Sequence, residues 1–135
     1  MIALARPSDL GLTALSGDYG VARLADGAGV PGWLAGEGVF ALVGDGSLTA
    51  VCRSDRIPAG VEQEGPWAAF RVTAAGALDA PGVVRAVTAP VAEAGLGIFV
   101  LSTFERDVVL VKTATREAAC AAWADAGFKL QEADE

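Results

Sequence analysis

The sequence has no histidine, two cysteines and one methionine in 135 residues. Without histidine, the commonest general base and metal ligand at neutral pH is missing. Cys52 and Cys120 stand far apart and form no metal-type pair. No G-x-S-x-G, G-x-x-x-x-G-K or C-x-x-C motif occurs. Catalysis would fall to carboxylates, lysines or the two thiols, and their spacing builds no acid–base or nucleophile constellation. No enzymatic activity, metal or cofactor is therefore expected.

Basic residues are also scarce. Ten Lys and Arg face seventeen Asp and Glu, a net charge of −7. That field repels phosphate backbones and anionic lipid, so neither nucleic acid nor membrane is an expected partner, whereas cationic small molecules stay in play. No apolar run approaches the roughly 20 residues of a membrane span. The start, "MIALARPSDLG", puts an arginine and a proline where a secretory leader has its apolar core. With unpaired cysteines, a reduced cytoplasmic setting is the expectation.

What is present suits a compact domain: 53% hydrophobic and 20% charged residues. The second half carries the clearest signals. "WAAFRVT" (67–73) has strand composition. Asp79 and Pro81 suit a helix start, Val83, Val84, Val87, Val91 and Ala94 recur at helical spacing, and Gly95 stops the helix. Strands 97–103 and 106–113 follow, close enough to pair as a hairpin. Thr115 then caps a second helix with Ala118, Ala119, Ala122, Trp123 and Ala126 on its apolar face, Gly127 ends it, and 128–130 form a last strand. This β-α-β-β-α-β order is the ferredoxin-like plan.

The first half reads as strands, poor in helix. Hairpins are expected about "SGDYG" (16–20) and "GDGS" (44–47), and 55–66 reads as a linker. The fold expectation is α+β, with two ferredoxin-like units: a degenerate, helix-poor one at 1–62 and a complete one at 63–135. The runs "IFVL" and "VVLV" do not alternate, so both faces of their sheet must be covered. The two helices cover one face; the N-terminal half or a second copy must cover the other.

"SLTAVC" (47–52), the proline of "RIPAG", "WAAFRV" and above all "GIFVLSTFERDVVLV" resemble the small paired-ACT-domain proteins. They are similar to the repeats of the CASTOR-type cytosolic arginine sensors. The resemblance spans roughly residues 10–130. It implies βαββαβ ACT units paired side by side, a homodimer, and a small effector, possibly an amino acid, bound between units. It also implies ligand-binding residues: Gly95, Leu96, Gly97 and Ile98 in the loop after the first helix, and Thr103, Phe104 and Asp107 at the hairpin.

The same residues have plainer readings. Gly95 suits a helix C-cap. Asp107 suits a strand start, where Arg106 could pair with it. Phe104 is either pinned on its own subunit or forms a wall of a pocket or interface. Two functions follow from these readings. One is a regulatory module that binds a small molecule and signals to a separate partner. The other is a dimerisation module without a small ligand.

Overall fold

The computed structural model describes residues 4–74 and 81–132. Eight strands and two α-helices follow one another: β1 (Leu10–Ala14), β2 (Tyr19–Leu24), β3 (Ala41–Asp45), β4 (Ser47–Arg53), β5 (Gln63–Ala74), α1 (Val83–Glu93), β6 (Phe99–Ser102), β7 (Asp107–Lys112), α2 (Arg116–Ala126) and β8 (Lys129–Glu132). The chain is a mixed α/β protein with few helices. It divides into a larger unit, residues 1–16 with 68–135, and a smaller one, residues 17–67.

In the larger unit the strand order is β8-β1-β5-β7-β6. Take β1 away and the order that remains is that of a ferredoxin-like βαββαβ unit. β1 is inserted between the first and last strands of that unit, antiparallel to β5 (Leu10 opposite Ala74, Ala14 opposite Phe70) and parallel to β8 (Gly11 beside Lys129). The contiguous division at residue 62/63 is thus not the one the contacts draw. The alternation of β1 explains its place: Leu10, Leu12 and Ala14 are buried while Gly11 and Thr13 are not. The buried set joins Phe70 and Val72 of β5, Val87 and Val91 of α1, Val109 and Val111 of β7, and Ala119 and Trp123 of α2 in one core. A Cβ on Gly11 would meet Thr73 Oγ1 at 2.5 Å, so the exposed Thr73 side chain would have to turn away.

The helices end as glycine chemistry demands. Gly95 and Gly127 follow α1 and α2 in the left-handed region, at φ +78° and +105°. Asp79, expected as a cap, lies outside the described residues; α1 begins after Gly82. Of the α1 face, Val87 and Val91 are buried, whereas Val84 and Ala94 are exposed. Of the α2 face only Ala119 and Trp123 are fully buried, and Ala118 and Ala126 face outward. A helix this rich in alanine has little periodic contrast, so the tryptophan fixes which side packs.

In the smaller unit the order is β3-β4-β2-β5, around Ala22, Leu34, Ala50, Cys52 and Ile57. β3 and β4 form the expected hairpin, Asp45 opposite Ser47 about Gly46. Two expectations fail. β1 and β2 do not pair across "SGDYG"; β2 lies between β4 and β5 instead. The stretch read as a linker already contains strand: Gln63 and Glu64 pair with Ala22 and Val21, and Gly65 and Pro66 fall at the register shift opposite Gly20.

All four side chains of "VVLV" (108–111) are buried within the single chain. Successive residues point to opposite faces, so this one chain already covers both faces of β7. The second copy invoked for that purpose is not needed there.

Candidate effector-binding site

The strands β6 and β7 pair from Phe99–Leu110 to Ser102–Asp107, and residues 103–106 reverse the chain. Thr103 clamps the reversal. Its amide donates to the Arg106 carbonyl (2.9 Å), its hydroxyl donates to the same oxygen (3.0 Å), and the Arg106 amide donates back to the hydroxyl (3.2 Å). Opposite, Ser102 Oγ donates to Asp107 Oδ1 at 2.6 Å, a charge-assisted bond. Thr103 and Asp107 thus serve the turn itself. Phe104 does not: at 87% exposed it is pinned to nothing in its own chain.

The loop after α1 is equally specific. The Leu96 amide donates to the Val91 carbonyl and the Gly95 amide to Ala92, the two bonds of a Schellman cap. These two amides are therefore not free for a ligand carboxylate. Leu96 and Ile98 turn their side chains to the core. Gly97 borders open space.

The structure does not bring the two groups together. Loop 95–98 and turn 103–106 lie at opposite ends of β6, and Ile98 and Thr103 are five residues apart along an extended chain, about 16 Å. No single amino acid reaches that far. Within one chain, loop and turn cannot hold the two ends of one effector.

A different concavity escapes sequence reading because four elements build it. Between the first turn of α2 and the ends of β1 and β8 lies a groove of about 400 Å3. Leu12, Ala14 and Phe70 floor it, and Arg116, Glu117 and Glu132 stand at its rim. The Arg116 guanidinium lies 5.7 Å from the Phe70 ring centre and 3.2 Å from Glu132 Oε1.

Among the described residues no group of three or more His, Cys, Asp or Glu side chains is placed to hold a metal, and no helix is long and apolar enough to cross a membrane. Burial pushes the Cys52 thiol above its ordinary value, with Arg56 opposing and Asp55 adding. Burial also raises Cys120, with Arg116 opposing and Glu132 adding. A folded thiol held protonated stabilises the fold below its unfolded pKa, and that contribution is lost as the pH rises through the folded value. Iodoacetamide near pH 8 should accordingly alkylate both thiols more slowly in the native chain than in urea. Equal rates would contradict their placement.

Residues 62–123 match the ACT domain family model. Protein Atu0741 of Agobacterium tumefaciens is similar over nearly the whole length: 35% identity, 97% of this chain and 96% of that one, TM-score 0.87. The chain belongs to one family with Atu0741. A Vibrio cholerae protein of unknown function, VC0802, shares the fold at 20% identity, 90% and 93% coverage and TM-score 0.74. So does the regulatory subunit of aspartate kinase from Thermus thermophilus, at 20% identity, 87% and 95% coverage and TM-score 0.57. No curated protein matches the sequence.

Proposed function

We propose that this chain is a non-catalytic, cytoplasmic regulatory module that binds a small effector, an amino acid foremost, and signals to a separate protein. The observation that carries the reading is the ACT match over residues 62–123. The shared fold with the regulatory subunit of aspartate kinase supports it, as does the resemblance to the arginine sensors. The smaller unit is read as a reduced ACT copy, since it has strands and no α-helix among its described residues.

The separation of loop and turn adds a condition. An effector gripped at both ends needs loop 95–98 of one copy and Phe104 and Asp107 of another, so the homodimer is part of the proposal. Gly97 and Ile98 would meet a carboxylate with the two loop amides that the helix cap leaves over. Asp107 would hold the cationic end, and Phe104 would be covered. A thermal-shift screen of amino acids, with light scattering, tests this. A bound effector at a hundred times its dissociation constant stabilises the fold by about 2.7 kcal/mol, several degrees in melting temperature. The particle should have twice the mass of the 13.6 kDa chain.

Asp107→Asn should remove the shift given by an effector with a cationic end. It should leave the unliganded melting temperature nearly unchanged, because the asparagine oxygen still accepts from Ser102. The exposed Phe104, beside a turn whose polar groups are internally satisfied, also supports the second reading, a dimerisation module with no small ligand. That reading takes over if no amino acid at millimolar concentration shifts the wild type.

A further inference from the structure

The outer face of α1 carries a pattern that is its own complement. Arg85, Ala89 and Glu93 recur every fourth residue and form one stripe along the helix. Val87 and Val91 lie on the opposite side, in the core. Beside the stripe, Ala86 and Pro90 are half-buried. These five residues line one side of a groove of about 310 Å3, and Leu4, Ala5 and Ala126 stand on the other side. Leu4 is 56% exposed, a large apolar side chain left open to water.

Arg85 and Glu93 are the only charged residues of that lining, and both are exposed. Neither side chain has an ion pair or a hydrogen bond among the described residues. They are eight residues apart on the helix, about 12 Å along its axis, too far to pair with each other. A partner for this face therefore has to offer small apolar side chains between a carboxylate and a cation at the same spacing, running the other way. The same helix of a second copy offers all of it.

We propose that this face joins two copies of the chain, α1 against α1, about a two-fold axis through Ala89. In an antiparallel pair the residue four before the axis faces the residue four after it. Arg85 of each copy then meets Glu93 of the other, and the contact is made twice, as two-fold symmetry demands. Parallel packing in register would set Arg85 on Arg85 and Glu93 on Glu93, two like-charge pairs. The small side chains of Ala86, Ala89 and Pro90 let the helices approach to about 8 Å, the near end of the packing range. The helix has 11 residues, about 16 Å of length, so the pair is a micromolar one rather than an obligate dimer. The contact goes beyond the effector reading: it shares no residue with loop 95–98 or turn 103–106 and forms with no effector present.

Sedimentation equilibrium of the full chain, without added amino acid, tests this. The wild type at high micromolar concentration should sediment as a pair. Arg85→Glu and Glu93→Arg each turn two attractions into two repulsions, and each alone should weaken the pair at least tenfold. Mixed in equal amounts the two variants should associate again, because a copy with two carboxylates now faces a copy with two guanidiniums. The double variant, Arg85→Glu with Glu93→Arg, should pair like the wild type. Ala89→Trp puts bulk on the axis and should leave single chains, with the fold intact by circular dichroism. Phe104→Ser should leave the pair unchanged.

A wild type that sediments as single chains overturns the proposal. A pair that survives Arg85→Glu or Ala89→Trp overturns it as well, and so does a mixture of the two single variants that stays unpaired. Loss of the pair in Phe104→Ser, with Arg85→Glu unaffected, would move the contact to the hairpin turn: this face fails and the dimerisation reading stands. The amino-acid screen reads a ligand and not this pair, so either can fail without the other.

Discussion

Replacing Trp123 by alanine is expected to destabilise the protein by about 3–5 kcal/mol, the range for removing a fully buried large aromatic side chain. Trp123 has no exposed surface. Its indole packs edge-on against Phe70 at 69°, and its Nε1 donates to the Val87 carbonyl at 2.8 Å. One side chain thus ties α2 to β5 and α1 together. Few neighbours can move into the vacated space, since those around it lie on three different elements held by their own hydrogen bonds. The midpoint of urea unfolding should fall sharply, since that loss is a large part of the roughly 5–15 kcal/mol of unfolding free energy typical of a domain. Trp123→Phe separates packing from hydrogen bonding. It keeps most of the volume, and the Val87 carbonyl retains its bond within α1, so a loss of about 1–2 kcal/mol is expected. A Trp123→Ala protein within about 1 kcal/mol of wild type would mean that the tryptophan is not the joint described.

The parts of this fold legible in the sequence are those whose cause is local. Gly95 and Gly127 end their helices because the left-handed turn after a helix costs glycine least. The hairpin of β6 and β7 is legible because two apolar runs separated by a few residues are close enough in the chain to pair with each other. Which distant strands meet is another matter. "SGDYG" contains turn residues, but turn chemistry says where a chain can bend and not which partner the next strand finds. β1 finds five residues of β5 and four of β8, and β2 finds six of β4. Gly65 and Pro66 read as breakers, yet a register shift lets a strand carry them.

The candidate site divides in the same way. Thr103 and Asp107 at a turn are evident from the sequence, and so is the glycine loop. Their separation is legible too, since strand length alone sets it, and it argues against a single chain gripping one ligand with both. Phe104 stands fully outside because a hairpin tip has nothing beneath it. The α2 groove has no linear signature at all: its floor comes from residues 12, 14 and 70, and its charges come from 116, 117 and 132.

Residues 63–135 produced alone should fail to fold, although they contain the whole βαββαβ order. The missing piece is β1, which lies between β5 and β8 and carries Leu10, Leu12 and Ala14 into the core at 2%, 1% and 4% exposure. Burying a leucine contributes about 1.5–3 kcal/mol, so the two leucines alone amount to a sizeable share of a domain's stability. The fragment loses in addition both ladders of β1, and β8 is left without a strand partner. It should give a spectrum with narrow amide dispersion and no cooperative thermal transition. Restoring residues 1–16 behind residue 132 supplies the strand again. β1 runs parallel to β8, so the connection must return along the length of the sheet, and a flexible linker of about ten residues reaches that far. This rearranged chain should regain a cooperative melt. Folding of 63–135 by itself would show that β8 can move into the place of β1, antiparallel to β5, and close the four-stranded ferredoxin-like order without it.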